Sequence, residues 1–256
     1  MIYKNIIIYC NKDCCCQETI NILRKYFIIT DNPNEADLII VLGGDGSMIH
    51  AIDTYKKYNI PFYGINFGTV GFLLNNCDKK NIISNITKSD VVSLPFLSME
   101  VTNGDGDIFR YEAVNEVSIF RSSNQASKLN IYINGINVMN NLTGDGIVTA
   151  SPAGSSAYNL SAGGMILPIS SNIISLTPIC PFRPRRWRGA LLDFNANIKI
   201  IVNDNVNRPV NAVADFHQVK NAKIVNIKIN QDKQVRLLFD SHHSAYDRNI
   251  KEQFSF

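Results

Sequence analysis

Near the start of the chain, Asn5 to Cys10 is a short apolar run that predicts a buried strand. Gln17 to Tyr26 then carries its apolar residues at helical spacing. Ala36 to Leu42 forms a second continuous apolar run, which stops at glycines and is followed by a helical pattern over Met48 to Tyr58. Pro61 to Asn66 predicts a third short strand. Buried strands alternating with helices predict a parallel sheet with helices on its faces. Ligands of such sheets sit beyond the carboxyl ends of the strands, where Gly43 to Ser47 falls.

Past about residue 92 the period changes to that of strands. Phe96 to Val101, Phe109 to Phe120, Leu129 to Val138 and Ile147 to Ala150 each predict a strand, with turn signals at Asn103-Gly104-Asp105-Gly106 and Asn134-Gly135. Ile198 to Val202, Lys223 to Ile229 and Val235 to Phe239 extend the series. The fold class expected is an α/β N-terminal domain with a parallel sheet plus a mostly β, sandwich-like C-terminal domain. The boundaries expected are 1–91, 92–235, and a tail 236–256 that packs back on the first domain.

A length of 256 residues suits two domains, and 45% hydrophobic with 18% charged residues excludes a disordered or fibrous chain. The net charge of +3 supplies no general field for nucleic acid, so an anion site has to be local and no nucleic-acid partner is expected. No apolar stretch reaches the roughly 18 residues of a membrane span, and the N-terminus lacks a signal-peptide core. A cytoplasmic protein without a membrane partner is expected. The six cysteines, Cys10, Cys14, Cys15, Cys16, Cys77 and Cys180, suit reduced thiols, and no second Cys or His pair completes a zinc pattern.

Gly43-Gly44-Asp45-Gly46-Ser47 lies between a strand and a helix. Glycines let a backbone approach phosphate and aim N–H groups at it, and a helix N-terminus adds positive potential. The Lys of a Walker A loop is missing. Asp45 is informative because a carboxylate among phosphates is repelled unless it binds a metal or accepts a proton; its alternative role is a helix cap. A second glycine turn, Gly64 to Leu73, follows the third strand, and its Phe72 suits a base or ribose. Asn115 and Glu116 interrupt an apolar stretch, which reads as an internal hydrogen-bond network or as a pair that a purine edge and a ribose hydroxyl would satisfy. Thr143 to Gly164 packs small residues and hydroxyls densely, suited to a flat ligand lying against backbone. No Gly-x-Ser-x-Gly elbow supports a serine nucleophile.

In order and spacing these segments, with Thr177-Pro178-Ile179-Cys180-Pro181, resemble the NAD kinase family over residues 36 to 217. The glycine–aspartate turn alone is shared with phosphofructokinases and with diacylglycerol and sphingosine kinases. The resemblance implies an enzyme that phosphorylates the adenosine 2′-hydroxyl of NAD, with ATP or polyphosphate as donor and Mg²⁺ on the donor phosphates. It implies that Asp45 is the catalytic base and that Gly43, Gly44, Gly46 and Ser47 serve the donor. It also implies that Asn115 and Glu116 hold the adenosine part. Asp145, Ser156, Ala157, Tyr158 and Ser161 would line the dinucleotide, while Gly46, His50 and Phe72 border the pocket. Cys180, Asp215 and His217 fall in further NAD-contacting segments. Ala153 stands where the family carries a hydroxyl, and Phe216-His217-Gln218 departs from its common forms. Residues 1–91 would be the nucleotide-binding domain and 92–235 the NAD-binding domain, in a homodimer or homotetramer.

Phe182-Arg183-Pro184-Arg185-Arg186-Trp187-Arg188 gathers four arginines around a tryptophan. It suits a solvated loop, a subunit contact or neutralisation of donor phosphates. The competing readings of the whole chain are a lipid or sugar kinase with the same turn, and an NAD-binding sensor without catalysis.

Overall fold

The computed structural model describes residues 3–10, 16–68, 71–241 and 254. The chain divides into two compact units, Met1–Leu94 with Gln234–Phe256, and Pro95–Lys233.

The first unit is α/β. Its elements are β1 (Asn5–Cys10), α1 (Gln17–Leu23), β2 (Ile28–Ile29), β3 (Leu38–Gly43), α2 (Asp45–Tyr55), β4 (Phe62–Asn66) and α3 (Ile82–Lys88). β1 pairs in parallel with β2 and β3, and β3 with β4. Every residue of β3 is buried, as a parallel strand covered on both faces requires. Ile6, Leu38, Ile40, Leu42, Tyr63 and Ile65 from the sheet meet Leu23, Ile82 and Ile86 from helices in one core. The helical pattern over Met48 to Tyr58 resolves into α2, which begins three residues earlier, and a 3-10 turn at Lys56–Tyr58.

The second unit is β. It holds β5 (Asp90–Asn103, begun in the first unit), β6 (Ile108–Ala113), β7 (Glu116–Arg121), β8 (Ser127–Ile133), β9 (Ile136–Gly144) and β10 (Gly146–Ala150). A 3-10 turn (Ala153–Ser156) leads into α4 (Tyr158–Ser161), followed by β11 (Ile173–Ile179), β12 (Ala190–Asp193), β13 (Ile198–Val202), β14 (Val210–Ala214), β15 (His217–Val219) and β16 (Ala222–Phe239). One sheet runs β12-β11-β10-β7-β14-β15; in the other, β16 pairs β5 and β13, followed by β8 and β9. Val117, Ile119, Ile147 and Ile174 of the first sheet share a core with Met99, Ile131, Ile200 and Val225 of the second, the arrangement of a sandwich.

Three expectations change. Phe109 to Phe120 is two strands, broken at Val114-Asn115. Leu129 to Val138 is a hairpin whose turn, Asn134-Gly135, has both residues at positive φ. Lys223 to Ile229 and Val235 to Phe239 are one strand, β16, whose last residues belong to the first unit, where Leu237 and Leu238 pair in parallel with β4. Of the segment 236–256, residues 242–253, 255 and 256 lie outside the described residues. Asp240 is buried and accepts the Tyr63 hydroxyl at 2.6 Å.

Candidate functional site

In the first unit, β3 ends at Gly43 and α2 starts at Asp45, with extended Gly44 as its N-cap and no side-chain cap. Asp45 is thus the first residue of the helix rather than its N-cap. Its two carboxylate oxygens accept the backbone N–H groups of Phe72 and Leu73, each at 2.9 Å, so the second glycine turn fixes the orientation of the first. A Cβ at Gly44 or at Gly46 would meet nothing within 4 Å, so the fold of this unit does not demand glycine at either place. An open backbone at a helix N-terminus is what a phosphate needs. Ser47 and His50 lie on α2, His50 exposed, and Phe72 is half-buried. Thr69 and Val70 of the second turn lie outside the described residues.

In the second unit, Asn115 and Glu116 sit at the break between β6 and β7. Asn115 Oδ1 and Glu116 Oε2 are buried without a hydrogen-bond partner. Burial, and then the negative charge of Asp215, pushes the Glu116 carboxyl up to about 8. The Asp215 carboxylate accepts the N–H groups of Val114, Asn115 and Glu116 at 2.7, 3.0 and 3.3 Å, so it grips the backbone of this segment. His217 stacks on Tyr111, ring centroids 4.7 Å apart.

The small-residue block is an ordered polar core rather than a loose serine loop. Ser155, buried, donates to Pro152 O and accepts the Leu167 N–H; the Asn159 amide donates to Ser155 O and Met165 O and accepts the Thr177 hydroxyl at 2.7 Å. A Cβ on Gly154 would lie 2.2 Å from Asn115 O, so only glycine lets this turn pack against the Asn115 backbone. Ala153 is buried, Ser156 and Ala157 are half-buried, and Tyr158 and Ser161 are exposed. Burial, followed by the nearby Cys180, Asp145 and Glu116, pushes the Tyr158 phenol up, which gathers four of the sequence candidates in one neighbourhood. Cys180 is an exposed thiol at positive φ, and Asp145 pairs with Arg121 at 2.7 Å. Ser151, Ser155, Asn159 and Thr177 were not among the sequence candidates. Their signal, Ser and Asn among small residues, does not by itself distinguish a scaffold from a ligand contact.

All four arginines of the cluster are exposed, and Arg183 and Arg185 stand over the Phe182 ring. Trp187 instead packs against the sandwich core. Cys10 is half-buried and Cys16 buried, while Cys14 and Cys15 lie outside the described residues. Among the described residues no group of three or more His, Cys, Asp or Glu gathers as a metal site, and no helix is long and apolar enough to cross a membrane.

The family model for the ATP-NAD kinase N-terminal domain matches residues 10–89, and that for the ATP-NAD kinase C-terminal domain matches residues 114–218. The NAD kinase of Rickettsia bellii (strain OSU 85-389) is 49% identical over 251 residues, 98% of each chain. The NAD kinase of Rickettsia rickettsii (strain Sheila Smith) is 54% identical over 220 residues, 86% of each. Two solved structures share the fold at 20% sequence identity. Yeast NADH kinase complexed with NADH has a TM-score of 0.86, covering 100% of this chain and 89% of that one. An NAD kinase from Archaeoglobus fulgidus in complex with ATP has a TM-score of 0.80, covering 98% and 99%. With both family models matched in order and about half of all residues shared with named relatives over most of its length, the chain belongs to the NAD kinase family, enzymes that phosphorylate NAD.

Proposed function

We propose that the chain transfers the γ-phosphoryl group of ATP to the adenosine 2′-hydroxyl of NAD, with Asp45 as general base. The hydroxyl proton goes to an Asp45 carboxylate oxygen, and the hydroxyl oxygen forms the new bond to the γ-phosphorus. The bond from that phosphorus to the β–γ bridging oxygen breaks, and its electron pair leaves with ADP. The observation that carries this reading is the Asp45 carboxylate. It stands at the N-terminus of α2, where the Phe72 and Leu73 amides orient it. Gly43, Gly44, Gly46 and Ser47 form the donor-phosphate side, where N–H groups and the helix end oppose negative charge. Mg²⁺ held on the donor phosphates supplies neutralisation of the charge that spreads over the γ-phosphoryl oxygens.

On the acceptor side, residues 1–91 act as the nucleotide-binding domain and residues 92–235 as the NAD-binding domain. Asn115 and Glu116 hold the adenosine part; their buried, unpartnered oxygens support this, because a ligand would satisfy them. Asp145, Ser156, Ala157, Tyr158, Ser161 and Cys180 line the rest of the dinucleotide, and Gly46, His50, Phe72, Ala153, Asp215 and His217 complete its surroundings. The relatives crystallised with NADH and with ATP are consistent with both substrates. The enzyme works in the cytoplasm as a homodimer or homotetramer.

The test is NADP formation from NAD with ATP and Mg²⁺, then with polyphosphate, read by a coupled NADP-specific dehydrogenase. Product with ATP supports the reading, and product with polyphosphate alone moves the donor to polyphosphate. No product with either, while NAD still binds, makes the protein a sensor. Sedimentation of the same sample reports the assembly.

A further inference from the structure

Every backbone polar group of Val114, Asn115 and Glu116 has a partner. Their three N–H groups go to the Asp215 carboxylate. The Val114 carbonyl accepts the Ser151 hydroxyl at 2.6 Å, the Asn115 carbonyl accepts the Ser151 N–H at 2.9 Å, and the Glu116 carbonyl accepts the Asp215 N–H at 3.1 Å. Asp215 reaches this position through a left-handed φ of 50°, unusual outside glycine, at the corner between β14 and β15. The segment's buried polar atoms without a partner are thus two side-chain oxygens, Asn115 Oδ1 and Glu116 Oε2.

An ionised Glu116 would put a second buried charge beside Asp215 with no donor for Oε2, the costliest state for that atom. A protonated Glu116 turns the same atom from an unmet acceptor into a donor aimed at a ligand. Next to it, Asn115 Oδ1 accepts. The two residues then offer one donor and one acceptor, which a ligand carrying an acceptor and a donor would satisfy. We propose that Asp215 is a positioning residue of the dinucleotide subsite: it locks the Val114–Glu116 backbone in place and, adding its charge to the effect of burial, helps present Glu116 as a neutral carboxyl that donates a hydrogen bond to the substrate.

This deepens the NAD-binding reading above and rests on it for the identity of the ligand. The groups around Glu116 agree with a neutral carboxyl. Asp215 faces it with negative charge, and Tyr158 of α4 is its other titratable neighbour, itself beside Cys180 and Asp145. The strands that flank β7, β10 (Gly146–Ala150) and β14 (Val210–Ala214), carry no titratable side chain. Among the described residues no cation is one of the groups that shift Glu116.

The experiment has two arms on the full-length protein. Infrared difference spectra of wild type against Glu116→Gln, recorded without any nucleotide, read the carboxyl of Glu116 directly. The expected result is a protonated-carboxyl band at neutral pH that disappears as pH rises through about 8. In Asp215→Asn, which keeps the side chain's shape but removes its charge, the disappearance moves to lower pH. A carboxylate band at neutral pH in the wild type, or an unmoved transition in Asp215→Asn, overturns the proposal.

The second arm is NAD affinity by calorimetry across pH. Wild type should weaken above about 8, whereas Glu116→Gln, which cannot ionise, should show no such pH dependence. A loss of about tenfold or more in Glu116→Gln at neutral pH means the carboxylate is needed as an acceptor, and the donor role falls. If Asp215→Asn does not fold, the wild-type and Glu116→Gln spectra decide alone. Because the infrared arm needs no substrate, a protonated band with no NADP formation under either donor would leave this proposal standing and sink the catalytic one.

Discussion

In the α/β unit the turn proposed to carry the chemistry is one stretch of chain. β3 runs into Gly43 to Ser47 and the first turn of α2, and the backbone N–H groups of Phe67, Phe72 and Leu73 bond to it from the next strand and turn. In the β unit the Asn115–Glu116 platform is assembled from Ser151, Gly154 and Asp215, the last 101 residues from Val114 in sequence. The first turn has room at Gly44 and Gly46, and the second has none at Gly154. Chemistry that depends on a helix end can be written locally, because the dipole and the unpaired N–H groups come with the helix itself. A subsite that leaves two buried oxygens open has to saturate everything around them, which takes partners from distant segments.

The comparison predicts that substitutions in the turn change catalysis and spare the fold, whereas those in the platform change both. The largest effect is expected for Asp45→Asn, which keeps the shape of the side chain but cannot take a proton. Turnover in the coupled assay should fall by about 10²–10⁴-fold while NAD affinity holds and stability falls by only about 1 kcal/mol, since the amide can accept just one of the Phe72 and Leu73 N–H groups. Near-normal kcat would remove Asp45 as the base.

A pH series sharpens the contrast next. Folded Glu116 keeps its proton up to about 8, whereas in the unfolded chain it ionises in the ordinary carboxylate range. The folded state therefore holds the extra proton between those limits. Its contribution to stability is complete below the unfolded value, declines by about 1.4 kcal/mol per pH unit and is gone above about 8. Urea unfolding should show this decline between the ordinary carboxylate range and about 8 in wild type and much less of it in Glu116→Gln.

Glycine substitutions compare the two regions directly. In Gly154→Ala the new Cβ collides with Asn115 backbone, and a loss of about 1–3 kcal/mol in urea unfolding is expected, with weaker NAD binding. Gly46→Ala points its Cβ into open space within a helix, so stability should hold or rise by roughly 0.5 kcal/mol while the KM for ATP increases. Equal destabilisation by the two changes would break the comparison.

The smallest effects belong to the exposed arginines. Single changes of Arg183, Arg185, Arg186 or Arg188 to Ala should leave stability within about 0.5 kcal/mol. A raised KM for ATP at constant sedimentation assigns the cluster to the donor, and dissociation of the assembly assigns it to a subunit contact. No change in either makes it a solvated loop.

The sequence by itself determined the α/β unit's strands and the turn between β3 and α2, because β3 is a continuous apolar run and its exit is marked by consecutive glycines. It also marked Asn115 and Glu116 as polar residues in an apolar stretch, and it carried the family's motifs in order. It did not reveal β11, where Pro178 and the buried Ser175 and Thr177 disguise a strand, or that β16 runs unbroken through its polar middle. Nor did it reveal the break between β6 and β7. Phe109 to Phe120 reads as one strand because strand propensity is local, while the break exists because Asp215 and Ser151 occupy the backbone groups that a neighbouring strand would otherwise take. That Asp215 grips backbone, that Trp187 belongs to the core and that Ser155 and Asn159 are scaffold were decided only in three dimensions. Each depends on which distant group meets a side chain, and the spacing of residues along the chain carries no record of that meeting.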